Sequence, residues 1–319
     1  MDDYPVALIV AGPTCSGKSA LALGLAERLD GTIINADAMQ CYRELRVITA
    51  RPTAAEELLV PHRLYGVRPA AEPGHAAWWR GAALAALAAA RAEGRVPILC
   101  GGTGLYLAAL VQGIAEIPEV AEEIRAESRR LLAELGPHRL HAALATADPA
   151  TAAGLRPSDS QRLARAWEVW RATGRGLAAW QAQPGVPAPW RFAVFLLDPP
   201  REALRTAIAG RFAAMLEQGA LAEVRELLAL GLDAALPAMR AHGVPELAAH
   251  LRGDISLAEA ERRAVLATGQ YTKRQATWFR HRRLVDSACT HMIHARIAGP
   301  TQFSERDWAE MMSFIRRQG

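Results

Sequence analysis

Lysine is almost missing from this 319-residue chain: of 37 basic residues, all but Lys18 and Lys273 are arginine. Cysteine is scarce too. Cys15, Cys41, Cys100 and Cys289 are scattered, without a C-x-x-C pair or a nearby ligand histidine, which argues against a disulfide framework or a zinc site and for a reducing cytoplasm. No stretch approaches the ~20 apolar residues of a membrane span, and no internal repeat is present. The start, Met1-Asp2-Asp3-Tyr4-Pro5, is acidic and is not expected to be a signal peptide. What remains is 51% hydrophobic and 22% charged, with a net charge of +4. That composition describes a soluble globular protein of one large domain or two smaller ones. Its mild basicity permits a nucleic-acid partner without demanding one.

One of the two lysines stands in Gly12-Pro13-Thr14-Cys15-Ser16-Gly17-Lys18-Ser19. This octapeptide fits G-x-x-x-x-G-K-[ST], the nucleotide-binding loop of ATP-using proteins, whose backbone N–H groups cradle a diphosphate. A compact ammonium can fold over an encircled phosphate where a planar guanidinium is bulkier. The flanks agree. Val6–Ala11 is an apolar run suited to a buried parallel strand, and Ala20–Leu29 is helix-forming with Gly31 as its stop. Thr14, Cys15, Ser16, Gly17, Lys18 and Ser19 are therefore the expected diphosphate ligands, and the Ser19 hydroxyl the expected Mg²⁺ ligand.

Further strands are expected at Thr32–Ala36, Val96–Cys100 and Phe192–Asp198, with a helix from Ala76 to Glu93. Alternation of this kind predicts an α/β fold, a P-loop NTPase-like parallel sheet flanked by helices. Ligands of such sheets bind beyond the carboxyl ends of the strands, where Asp37 and Thr103 lie. From roughly Glu116 the strand pattern disappears. Helices are expected at Val120–Leu135 and at Ser160–Thr173, the latter opened by the cap-rich Pro157-Ser158-Asp159-Ser160. A Pro/Gly linker follows at Gln183–Pro189. The expected organisation is a catalytic core over 1–115 and 186–319, interrupted by an all-helical insertion over 116–185. Helices are expected from Arg201 to about His281, and a last one opened by Ser304 with Asp307 three residues on.

Arginines crowd two places: Arg156, Arg162, Arg165, Arg171 and Arg175 in the insertion, and Arg262 to Arg283 near the end, with Trp278 and Phe279 inside the second group. Basic and aromatic interleaving suits phosphate contacts and base stacking on RNA; either group alone is more often a solvated helix face, and two beside a phosphate-loop domain shift the reading towards RNA.

Seven strings identify the chain as resembling the tRNA dimethylallyltransferase family: Gly12–Ser19, Asp37–Arg43, Thr49–Pro52, Pro61–Leu64, Gly101–Tyr106, Asp159–Val169 and Thr272–Arg280. The likeness spans roughly residues 6 to 283. Ala38 departs from the family's usual serine, and Arg240–Pro245 from its usual glycine-tyrosine-arginine. The resemblance implies transfer of a dimethylallyl group from dimethylallyl diphosphate to the exocyclic amine of the adenosine just 3′ of the anticodon, position 37. It implies Asp37 as general base, Lys18 and Thr103 at the leaving group, with an arginine assisting, and Mg²⁺ on Ser19. It implies contacts to the tRNA anticodon stem-loop from Asp37, Ala38, Met39, Gln40, Thr103, Arg125, Gln161, Arg162, Leu163, Ala164, Arg165, Lys273, Arg274 and Arg280. A cytoplasmic monomer is expected, with no membrane contact.

Three rivals share these residues. A small-molecule kinase would place ATP in the loop and use Asp37 on a hydroxyl. An enzyme prenylating free adenine nucleotide would leave the insertion without purpose. A non-catalytic RNA-binding protein would have no need of Lys18, Ser19 and Asp37 together.

Overall fold

The computed structural model of the protein describes residues 4–318; of the acidic start, Met1–Asp3 lie outside them. The chain forms two compact units, one running to Val111 and resuming at Ala188, the other Gln112–Pro187.

In the first unit β1 (Val6–Ala11) leads through the glycine loop into α1 (Lys18–Leu29), then β2 (Gly31–Asn35), α2 (Ala54–Leu59), β3 (His62–Arg63), α3 (Ala76–Ala92), β4 (Val96–Gly101) and α4 (Gly104–Val111). The second unit carries α5 (Glu122–Ala147), α6 (Pro149–Ala153), α7 (Ser160–Thr173) and α8 (Leu177–Gln181). The first unit resumes with β5 (Arg191–Leu197), α9 (Arg201–Glu217), α10 (Ala220–Ala229), α11 (Val244–Leu251), α12 (Leu257–His281), β6 (Thr290–Ile293) and α13 (Glu305–Arg316).

The sheet has the order β3-β2-β4-β1-β5-β6, and every neighbouring pair is parallel. Covered on both faces, its central strands read as continuous apolar runs: Ala7 to Ala11, Ile98 and Leu99 are fully buried. In register, Leu8 pairs with Ile98 and with Ala193.

Several expectations need correction. Gly31 does not stop α1; Asp30 does, in the left-handed conformation at φ 49°, which a short polar side chain tolerates, and Gly31 opens β2. Two edge strands escaped the pattern. β3 has two residues, and β6, Thr-His-Met-Ile, has mixed polarity because it lies at the sheet edge. In the insertion the helix expected to end at Leu135 resumes through Gly136 (φ 71°) and Pro137 to Ala147. The helix Ser160–Thr173 is as expected, with Asp159 Oδ1 accepting from the Arg162 N–H at 3.3 Å. The Ser304/Asp307 capping box is also present. The insertion has its own core of Leu140, Leu144, Leu163, Ala166, Val169 and Leu177.

Candidate active site

The three central strands β2, β4 and β1 are neighbours. Their carboxyl ends carry Asp37, Thr103 and the phosphate loop, so residues far apart in sequence meet at one end of the sheet.

The loop's curvature depends on two glycines. Gly12 sits at φ 148°, and a Cβ there would come within 2.6 Å of Leu197 O. Gly17 sits at φ 95°, and a Cβ there would come within 2.0 Å of Ile297 O. Only glycine fits either place. Gly17 precedes α1 with no side chain capping the helix, so the first-turn N–H groups are left for an anion. Lys18 Nζ donates to Pro13 O at 2.8 Å, which holds the ammonium over the loop. Burial lowers the Lys18 pKa, Cys100 and Asp37 oppose that shift, and the Arg211 guanidinium adds to it. A partly desolvated ammonium beside a second cation is a site that an anion relieves. Ser16 Oγ is fully buried and has no hydrogen-bond partner, a further polar atom awaiting an oxygen.

Asp37 is held from behind. Buried Asn35 accepts from the Asp37 N–H at 2.8 Å and donates from Nδ2 to Asp37 O at 2.9 Å and to Leu64 O at 3.0 Å. Asp37 Oδ1 accepts from the Met39 N–H at 3.0 Å. Among the described residues Oδ2 meets no donor, so this oxygen is the one available to substrate. Thr103 Oγ1 accepts from the Ala38 N–H at 3.0 Å and so ties the β4 loop to the Asp37 turn. The Gln40 amide donates to Thr49 O and Ala50 O, both at 2.9 Å, which commits that end of the side chain to its own loop.

A cavity of about 630 Å³ including its mouth lies between these loops and the helices after β5. Thr14, Cys15 and Asp37 line one side; Met39, Ile48, Ile208, Phe212, Met215 and Tyr271 make it apolar; Arg211 and His242 add charge and polarity. Arg211 Nη1 donates to Cys15 Sγ at 3.7 Å. Burial raises the Tyr271 hydroxyl to about 12, while hydrogen bonds to Thr103 and Gln275 work the other way. Burial first, with Arg274 assisting, lowers the pKa of His242, whose ring lies 4.7 Å from that of Tyr271.

Sequence reading missed Asn35, Arg211 and Gln275. A buried amide in an otherwise apolar strand was the available signal for Asn35. Gln275 Oε1 accepts from both the N–H and the hydroxyl of Thr14, and Nε2 donates to Gly102 O at 2.9 Å. Thr14, expected to face the diphosphate, thus has both donors turned towards α12.

The expected RNA contacts divide by burial. On α7, Gln161 and Arg162 are exposed and Arg165 half-buried, whereas Leu163 turns into the insertion core and Ala164 is buried. An amphipathic helix allows no other outcome, so side-chain contact from this turn falls to Gln161, Arg162 and Arg165. Arg125, Arg162 and Arg165 pair with Glu122, Asp159 and Glu168 at 3.7, 3.5 and 3.3 Å. Such surface pairs are worth about 0–1 kcal/mol, so a phosphate can replace the carboxylate. On α12, Lys273 and Arg274 are exposed, and Arg280 forks onto Asp198 at 3.0 and 2.9 Å. Of the neighbouring aromatics, one is withdrawn from solvent and the other is half-buried. Phe279 is buried, and the Trp278 ring lies against Gly104.

No three His, Cys, Asp or Glu side chains converge as a metal site among the described residues. The Ser19 hydroxyl at the start of α1 hydrogen-bonds the Cys100 thiol and is an oxygen of the kind Mg²⁺ takes, in a shell commonly completed by substrate phosphate and water.

Parallel sheet, glycine loop and lysine at a helix start define the chain as a P-loop NTPase-like α/β protein. The profile of the IPP transferase family matches residues 40–282. A protein of Granulibacter bethesdensis called tRNA dimethylallyltransferase is 64% identical over 97% of this chain and 98% of its own length. The crystal structure of full-length tRNA isopentenylpyrophosphate transferase from Bacillus halodurans superposes with a TM-score of 0.68 at 28% identity, over 99% of this chain and 97% of that one. A eukaryotic dimethylallyltransferase acting on tRNA shares the fold, with a TM-score of 0.78 at 22% identity, over 99% of this chain and 80% of that one. The chain belongs to the IPP transferase (tRNA dimethylallyltransferase) family.

Proposed function

We propose that the chain transfers a dimethylallyl group from dimethylallyl diphosphate to the exocyclic amine of adenosine 37, just 3′ of the anticodon of tRNA. One observation carries this reading: adjacent strands bring the phosphate loop, Thr103 and Asp37 to one end of the sheet, beside a cavity that is polar at the loop and apolar beyond it. A diphosphate joined to a five-carbon chain has the same polarity.

In this reading the loop N–H groups, the Lys18 ammonium and the Arg211 guanidinium hold the diphosphate and neutralise the charge that grows on it as the allylic C–O bond breaks. Ser19 is the residue that would hold a Mg²⁺ ion, which would supply further neutralisation of the leaving group when bound. The adenine amine is a weak nucleophile, because its lone pair is delocalised into the ring. As its nitrogen bonds to the allylic carbon, the leaving electron pair goes to the diphosphate and the amine proton passes to Asp37 Oδ2. Thr103 holds the Asp37 turn through the Ala38 N–H. Ile48, Phe212, Met215 and Tyr271 keep water from the electron-poor allyl group. The base must leave its stack, at a cost of a few kcal/mol. Contacts from Gln161, Arg162, Arg165, Arg125, Lys273, Arg274 and Arg280, with Met39 and Gln40 beside Asp37, would offset it. The enzyme is taken to act as a cytoplasmic monomer; its four cysteines are free thiols.

Mass spectrometry of anticodon-loop adenosine tests the reading, after purified protein reacts with Mg²⁺, dimethylallyl diphosphate and tRNA. The parent should add one five-carbon unit, and Asp37→Ala should lower kcat by about 10²–10⁴ with tRNA affinity nearly unchanged. Unmodified adenosine with the parent, or full turnover with Asp37→Ala, would sink it. Labelled ATP in a parallel reaction should transfer no phosphate, in contrast to a kinase.

A further inference from the structure

A phosphate loop binds an anion with N–H groups pointing inward, and this orientation holds only if its carbonyls point outward to donors of their own. Most of those donors are local. Pro13 O receives Lys18 Nζ at 2.8 Å and the Ser16 N–H at 3.3 Å, and Gly17 O receives the Leu21 N–H at 3.2 Å as α1 begins. Two carbonyls are met from elsewhere. Arg296 Nε donates to Cys15 O at 3.1 Å, and the Ile297 N–H donates to Ser16 O at 2.9 Å. These donors lie about 280 residues along the chain and beyond residue 282, where the family profile ends.

The segment is built to stay there. Ile297 is 1% exposed and belongs to the same core as β1 and α1. Its carbonyl lies so close to Gly17 that no Cβ fits between them. Gln302 closes the turn behind it, accepting from the Ala298 N–H at 2.8 Å and donating to Arg296 O at 3.1 Å. On one side β6 is paired with β5. On the other, α13 sinks Trp308, Met311 and Phe314 into the core. Phe314 meets Phe195 of β5 edge-on at 5.3 Å, and Arg28 of α1 lies 3.8 Å over the Trp308 ring. One end of the segment is therefore fixed to β5, the neighbour of β1, and the other to β5 and α1.

We infer that Arg296–Ile297 is a strap that sets the anion-binding shape of the phosphate loop, which makes Arg296 a positioning residue for the diphosphate substrate. This inference rests on the proposed function only in taking dimethylallyl diphosphate as the occupant of the loop. Arg296 acts through Cys15 O, fixing a peptide whose own N–H, that of Ser16, turns back to Pro13 O, while the Ile297 N–H on Ser16 O holds the next peptide with its Gly17 N–H directed away, towards the anion. Lysine at this position keeps a donor; alanine does not.

The test compares the full chain with Arg296→Ala and Arg296→Lys, varying dimethylallyl diphosphate and tRNA separately, and measures inorganic pyrophosphate binding by calorimetry. Losing a charge-assisted bond predicts for Arg296→Ala a KM for dimethylallyl diphosphate and a Kd for pyrophosphate each raised about tenfold. The KM for tRNA and the Tm should stay near those of the parent, and Arg296→Lys should recover most of the loss. Pyrophosphate affinity unchanged in Arg296→Ala overturns the strap, as does a loss shared equally by tRNA and diphosphate or explained by a fallen Tm. A parent that binds pyrophosphate but prenylates no tRNA overturns the proposed function instead, and the strap is then judged on the pyrophosphate ratio alone. A parent that binds no pyrophosphate overturns both.

Discussion

Gln275 Oε1 accepts from the Thr14 N–H at 2.8 Å and from the Thr14 hydroxyl at 3.0 Å, across 261 residues of sequence. Its amide nitrogen continues the chain of contacts to Gly102 O, next to Thr103. One buried carboxamide on α12 thus joins the loop that follows β1 to the loop that follows β4. The adjoining Lys273 and Arg274 face solvent, so a single helical turn has its charged side outward and its amide on the phosphate loop.

Gln275→Leu keeps the side chain's bulk and removes all three bonds, leaving the Thr14 N–H and Gly102 O without partners. Each such group costs about 1–3 kcal/mol. The expected outcome is a Tm lowered by several degrees and a KM for dimethylallyl diphosphate raised about tenfold, read by thermal unfolding and steady-state kinetics. Thr14→Val, which loses only the hydroxyl, should do less on both counts.

Arg211 stands at the cavity wall beside Cys15 and adds its charge to that of Lys18. Removing one preorganised charge at a leaving group typically costs 10²–10³ in kcat. Arg211→Gln should therefore lower kcat by about that factor, with the KM for tRNA little changed, and Arg211→Lys should recover part. Equal losses for Gln and Lys would mean that guanidinium geometry matters more than its charge.

Within one turn of α7, neighbouring residues should fail differently. Arg162→Ala and Arg165→Ala should raise the KM for tRNA and flatten its salt dependence by ~0.7–0.9 in the log–log slope per lost phosphate contact, with folding intact. Leu163→Ala, at a position fully buried in the insertion core, should cost about 2–5 kcal/mol of stability with the salt slope unchanged. Salt-titrated binding and urea unfolding separate the two.

Several acids near the site are pushed upward by burial: Cys100 to about 11, Cys41 and Tyr271 to about 12, and Tyr106 further. Each binds its proton more tightly folded than unfolded. Their contribution is therefore complete below the unfolded values near 9 for the thiols and 10 for the phenols, and is lost as pH rises through the folded ones. Urea midpoints should fall from pH 8 to pH 11, and less steeply in a Cys41→Ala, Cys100→Ala variant. Burial holds the Cys100 thiol protonated at pH 8 and away from solvent, so native alkylation should spare it.

The loop Gly12–Ser19 could be located in the sequence because its chemistry is local: a strand, two glycines that take positive φ and a lysine at a helix start lie within about twenty residues. The cap of α7 and the capping box of α13 were legible for the same reason, since three residues contain the whole interaction. Asp37 and Thr103 were visible as strand-end residues, but only the order β2-β4-β1 brought them beside the loop. The edge strands β3 and β6 were hidden, because an edge need not be apolar on both faces. Asn35 stood out only as an amide in an apolar strand, Gln275 only as one letter of a matching string, and Arg211 and Arg296 carried no local signature. Each acts on a loop whose partner lies between 2 and 281 residues away, and for all but Asn35 the distance was closed by the packing of α9, α12 and α13 onto the sheet. The sequence alone determined where the glycine loop and its lysine stand; tertiary packing decided what holds the loop in shape, because two of its carbonyls are met by donors from the other end of the chain.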